Sequence, residues 1–177
     1  MPDTRVIGSD LEVSGTITQR GVAVSTAPTV RQYGAVGDGV TNDTAAFVAA
    51  IAAVPTTGGT VVIPPGTYAI NLTINRPKVR LIGSHIGRVN SAVSPAGLVP
   101  YDVTQPVITI SDDTQLNEGV QLQNLEFNGG GTGYYGLKLR GGCYSQFFEN
   151  LTIQSFTKKG LWITTDTTFP CAYLYFN

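Results

Sequence analysis

Two four-residue units recur along this chain, and the distance at which they recur restricts the fold more than any other feature. Asn124-Leu125-Glu126-Phe127 returns as Asn150-Leu151-Thr152-Ile153 after 26 residues, and Gly136-Leu137-Lys138-Leu139 returns as Gly160-Leu161-Trp162-Ile163 after 24. Self-similarity at about 20–50 residues is the sign of a solenoid, whose units bury their apolar faces only against their neighbours. A meander of antiparallel hairpins would instead need turn signals about every 8–12 residues.

The parity of the apolar positions supplies the geometry. Val120 and Leu122 share one face of a strand, whereas Leu125 and Phe127 have the other parity. The switch falls at Asn124. Asparagine tolerates the left-handed backbone region, so the chain can bend there while every apolar side chain still points inward. Asn150 makes the same switch before Leu151 and Ile153. Turns stacked about 4.8 Å apart would place Asn124 over Asn150 and Leu125 over Leu151.

Strands are expected at Thr60–Ile63, Tyr68–Ile74, Val79–Ile82, Val107–Ile110, Val120–Leu122, Leu125–Phe127, Leu137–Leu139, Leu151–Ile153 and Leu161–Ile163. Only 13% of residues are charged, against a usual share of ~25%, and 21 are glycine. That balance suits short strands and tight turns. One helix is expected. Asn42, Asp43 and Thr44 offer N-cap side chains, Phe47, Ile51 and Val54 form one apolar stripe, and Pro55 with Gly58-Gly59 ends it.

Residues 1–27 have a different texture. Leu11, Val13 and Ile17 alternate among glycines, with too little apolar area to enclose a core alone. This stretch is read as an anchor and assembly segment that buries its apolar faces against other chains. Residues 28–177 form the second unit. The N-terminus has no basic start followed by an apolar run, so no secretory signal is expected. No stretch approaches the ~18 apolar residues that would suggest a membrane span. The net charge is −1 without a basic run, which argues against nucleic-acid binding. Two cysteines, Cys143 and Cys171, and one histidine, His85, do not make a zinc site. Both cysteines are read as buried free thiols.

Tyr33 to Phe47 reads YGAVGDGVTNDTAAF, and Gly58 to Tyr68 reads GGTVVIPPGTY. Together these resemble the opening segment of the pectate-lyase-like right-handed parallel β-helix family, found in phage tailspikes and related polysaccharide-active proteins. The resemblance runs from about Val30 to the end, with the specific motifs in the first half. It implies an all-β solenoid whose one short helix covers the exposed first coil. It also implies a homotrimer, attached to phage tail or baseplate proteins through residues 1–27. The body would bind or degrade bacterial surface polysaccharide, outside the cell and as part of the virion.

The motif itself is architectural: Asp38 and Asp43 are expected as turn and cap residues rather than catalysts. Glycan hydrolysis needs two carboxylates about 5–9.5 Å apart across one groove. The other acids considered are Asp102, Asp112, Asp113, Glu118, Glu126, Glu149 and Asp166. By the repeat, Glu126 stacks on Thr152 and Glu149 on Gln123, so neither meets a second carboxylate. No catalytic, cofactor-binding or metal-binding residue is assigned. The last residues, Cys171 to Asn177, are strand-like with no polar cap after them, and the chain is read as part of a longer polypeptide. Two other functions compete: a secreted-type pectate lyase or polygalacturonase, and a non-catalytic β-helix spacer.

Overall fold

Residues 18–19, 22–23, 27–83, 96–111, 117–141, 143–164 and 173–177 are described in a computed structural model of the chain. Most of the 1–27 segment, together with His85, Asp112, Asp113, Asp166 and Cys171, lies outside them. Within that segment β1 (Thr18–Gln19) and β2 (Val22–Ala23) pair antiparallel. A four-residue 3-10 turn, Val30–Tyr33, then leads into β3 (Asp38–Asn42) and α1 (Thr44–Ala53).

The helix forms as its stripe dictates, with Ala46, Phe47, Ala50, Ile51 and the following Val54 all buried. Its N-terminus is built differently from the expectation. Asp43 stands at the N-cap position but makes no side-chain cap bond. Its carboxylate instead accepts the backbone N–H groups of Val36 at 2.7 Å and Gly37 at 3.1 Å. Asn42 takes over locally, accepting the Thr44 N–H at 3.0 Å. Asp43 is buried, so its charged carboxylate needs these two loop N–H groups as partners. At the other end the Arg76 guanidinium donates to the carbonyls of Ile51, Ala52 and Val54. These carbonyls belong to the last turn of the helix and the residue that follows it, and the cation suits the negative end of the helix.

The remaining strands coil into a parallel β-solenoid of about four turns. The first turn holds β4 (Gly59–Ile63), β5 (Gly66–Ile70) and β6 (Leu72–Ile74). The second holds β7 (Val79–Gly83), β8 (Ala96–Pro100), β9 (Pro106–Ser111) and β10 (Asn117–Glu118). The third holds β11 (Gln121–Asn128), β12 (Tyr135–Arg140) and β13 (Cys143–Tyr144). The fourth holds β14 (Phe147–Gln154) and β15 (Lys159–Thr164), and β16 (Tyr175–Phe176) begins the next. Every strand pair along the coil is parallel, as in β6–β9–β12–β15.

The expected register is observed: Gln123 pairs with Glu149, Leu125 with Leu151 and Glu126 with Thr152. The expected strands 120–122 and 125–127 are one bent strand, β11. Its first half pairs with β7 and its second half with β8. Asn124 (φ 56°) and Asn150 (φ 50°) make the bends. Conversely, the expected strand Tyr68–Ile74 is broken at Asn71, the corner between β5 and β6. There the Asn71 side chain accepts the Asp102 N–H at 2.7 Å and donates to the Pro106 carbonyl at 3.0 Å.

One apolar core runs through the coil, from Phe47 and Ile51 under α1 to Phe148 in the fourth turn. Phe47 meets Tyr68 edge-on, with ring centroids 5.5 Å apart, so the helix closes the first turn as expected. Cys143 is a buried free thiol whose sulfur donates to the Ile110 carbonyl at 3.2 Å. No helix among the described residues is long and apolar enough to cross a membrane.

Candidate functional site

The described acids are not gathered. Asp38 accepts the N–H groups of Thr41 and Val40 and the Thr41 hydroxyl, as a turn residue does. Those bonds, the Thr41 N–H first, hold its carboxyl below the usual carboxylate range. Asp102 is lowered in the same way by the hydroxyl and then the N–H of Thr104. Glu149 accepts the Gln123 amide at 2.9 Å, and Glu126 accepts the Gln154 amide at 2.7 Å. Each therefore meets a neutral amide across the turns rather than a second carboxylate. Glu118 is exposed on the short strand β10.

A different set of side chains does converge, on the β12–β15 face. Lys138 pairs in register with Trp162, and Tyr135 with Lys159. The inward neighbours Leu137 and Leu139 are buried in the core, which directs Lys138 outward. The Tyr135 and Trp162 rings lie 4.8 Å apart with a 31° tilt, and Tyr134 stands edge-on to Tyr135 at 6.1 Å. Three ammonium groups border these rings. Lys138 Nζ is 4.2 Å and Lys159 Nζ 4.9 Å from the Trp162 centroid, while Lys158 Nζ is 3.9 Å from that of Tyr134.

The backbone fixes this surface. The N–H groups of Lys158 and Lys159 both donate to the Tyr134 carbonyl, at 3.2 and 3.0 Å. Thr157 N–H donates to the Gly133 carbonyl and Tyr134 N–H to that of Val103, so three successive turns are tied at one corner. The small residues of the repeat now have a reason. A side chain at Gly136 would press on the Gly160 carbonyl and come 3.0 Å from the Phe156 ring, which packs beneath.

Reading the sequence alone missed this site, although the signal was present. The repeat already aligned Lys138 with Trp162 at its outward position, and Trp162 is the only tryptophan. Tyr134 and the Lys158-Lys159 pair lie in corners outside the repeated units, where only stacking brings them together. Chemically, the surface is a stack of aromatic rings with ammonium groups lying over their faces.

Residues 28–96 match the family model described as rhamnogalacturonase A/epimerase, pectate lyase-like. That likeness agrees with the coil described above, a parallel β-solenoid. Two viral structures share that fold. Tailspike protein gp49 of the Acinetobacter baumannii bacteriophage Fri1, a capsular polysaccharide depolymerase, superposes over 88% of this chain and 31% of its own, with a TM-score of 0.66 at 15% identity. ORF18 of Geobacillus virus E2 superposes over 75% of this chain and 26% of its own, with a TM-score of 0.61 at 23% identity. A curated relative, the non-secreted LysM effector LysM19 of Penicillium expansum, is 34% identical over 100 residues, 55% of this chain. The chain spans 8% of that relative's length and less than a third of either viral structure.

Proposed function

We propose that this chain is the N-terminal part of a phage tailspike or tail fibre. Residues 1–27 attach it to tail or baseplate proteins, and the β-helix begins a homotrimeric body that binds bacterial surface polysaccharide outside the cell. The observation that carries this reading is the superposition of 88% of the chain on a phage depolymerase tailspike. The apolar, alternating Leu11, Val13 and Ile17 support assembly. Identical chains usually close with cyclic symmetry, which would give each copy of that segment the cover it cannot provide itself.

The test is native mass, protease protection and labelling of virions. The full-length product is expected to have the mass of three chains, to protect Val6 to Val24 only in that assembly, and to bind antibody at the phage tail. A monodisperse monomer with the same stretch already protected would overturn the assembly, and absence from purified virions would overturn the attachment.

A further inference from the structure

We propose that the outer face of α1 and the groove between it and β6 seat residues 11–17 of a neighbouring copy of this chain, which lie there as an added strand. This rests on the assembly role proposed above for the N-terminal segment and adds the surface that receives it.

The helix supplies the first observation. After Thr44 it reads AAFVAAIAA, without one polar residue. Ala46, Phe47, Ala50 and Ile51 are buried against the coil. The opposite side carries Ala45, Val48, Ala49, Ala52 and Ala53, all exposed. They fall at i, i+3, i+4, i+7 and i+8, the spacing of a stripe that packs against something, and a helix apolar all round is normally covered all round. Alanine alone would suit a solvated face because it favours helix. Val48 does not: it is β-branched, and it is 51% exposed.

A groove lies beside this face. A cavity of about 370 Å³ is lined by Val48, Ile51 and Ala52 of α1 and by Leu72, Thr73 and Ile74 of β6. β6 is the end strand of its sheet, paired only with β9. An open edge of this kind is a template for another strand. Arg76, two residues past β6, ties that strand to the last turn of α1 through its guanidinium. The groove therefore keeps its width before anything enters it, and little ordering is needed on docking.

The occupant follows from what the chain leaves uncovered. Residues 11–17, outside the described residues, read LEVSGTI, with Leu11, Val13 and Ile17 at alternate positions. Residues two apart on a strand are separated by about 6.6 Å, and residues four apart on a helix by about 6 Å. Leu11 and Val13 thus match Val48 and Ala52 in spacing while the strand's backbone meets the open edge of β6. The alanines around Val48 let that backbone come close. Each copy carries one segment and one seat, so exchange around a closed ring of identical chains leaves neither uncovered.

The test uses the full-length product. Val48→Cys is combined in turn with Leu11→Cys, Val13→Cys and Ile17→Cys, and each variant is oxidised under native conditions. At least one pair is expected to join separate chains covalently, while every single variant stays at the mass of one chain. Val48→Lys alters only the exposed side of the helix. It is expected to keep the parent's circular dichroism and to speed proteolysis within residues 6–24 about tenfold, the scale of uncovering one apolar side chain. A disulfide formed only within one chain puts the segment on its own helix and overturns the exchange. Joined chains in the Val48→Cys single variant mean that two α1 faces meet each other, and overturn the seat. So does the absence of any cross-link, or unchanged protection in Val48→Lys, with a trimeric parent leaving the assembly reading standing. A monomeric parent ends both that reading and the exchange.

Discussion

The side-chain amide of Asn150 donates to the Oδ1 of Asn124 at 3.0 Å, joining the same corner of two successive turns. Both residues sit in the left-handed region, at φ 50° and 56°. The bond can form because the bend puts each side chain on the outside, where its equivalent lies one turn along the coil. Asn124→Ala should lose both the tolerated backbone and the ladder bond, about 1–3 kcal/mol together. Asn124→Gly keeps the backbone and should cost less. Urea denaturation of the two variants checks the order, and an alanine variant as stable as the parent would contradict the ladder's role.

Phe47 is fully buried between α1 and Tyr68. Phe47→Ala should destabilise the chain by about 3–5 kcal/mol, the range for emptying a large core site. The loss should appear first as hydrogen exchange in α1, because the helix is held to the coil mainly by this face and by Arg76.

Gly136→Ala should destabilise by about 1–3 kcal/mol through overpacking, since the added methyl meets the Gly160 backbone and the Phe156 ring. Combining it with Phe156→Leu should recover part of that loss. A thermal melt of the single and double variants separates steric crowding from a backbone effect.

The pH dependence follows from Asp38 and Asp102, both held below their usual value of 3.8 by hydrogen bonds to the ionised form. Their folded values are depressed, so their stabilisation is present above about pH 3.8 and is lost as pH falls through the lower folded values. Acid titration of stability should therefore fall off below about pH 4. Asp38→Asn and Asp102→Asn should each flatten that limb while leaving the profile between pH 6 and 8 unchanged in shape.

The 177-residue chain by itself should release neither reducing ends nor unsaturated sugars from acidic polysaccharides. Glu126 and Glu149 are each spent on an amide of the neighbouring turn. Reducing-sugar and ultraviolet absorbance assays on the purified chain check this. Product formation abolished by Glu126→Gln would place an acid catalyst where the geometry shows a structural one.

Much of the coil was legible in the residues. The spacing between Asn124 and Asn150 set the length of a turn, the parity switch beside each set the bend, and Phe47, Ile51 and Val54 set the buried face of α1. These are local or periodic properties, carried by backbone preference and by which side chains must avoid water. Tertiary structure decided what depends on neighbours distant in sequence. Asp38 reads as a turn residue and Asn42 as a helix cap, yet the segment joining them pairs with β5 because the coil offers it an open edge at Thr67 and Ala69. Asp43 reads as a helix cap, yet its buried carboxylate turns back to accept the Val36 and Gly37 N–H groups, which the fold brings to it. Tyr134, Lys158 and Trp162 carry no joint pattern along the chain. They meet because stacked turns bring residues about 25 positions apart to within one strand spacing of each other, and only the completed register says which ones.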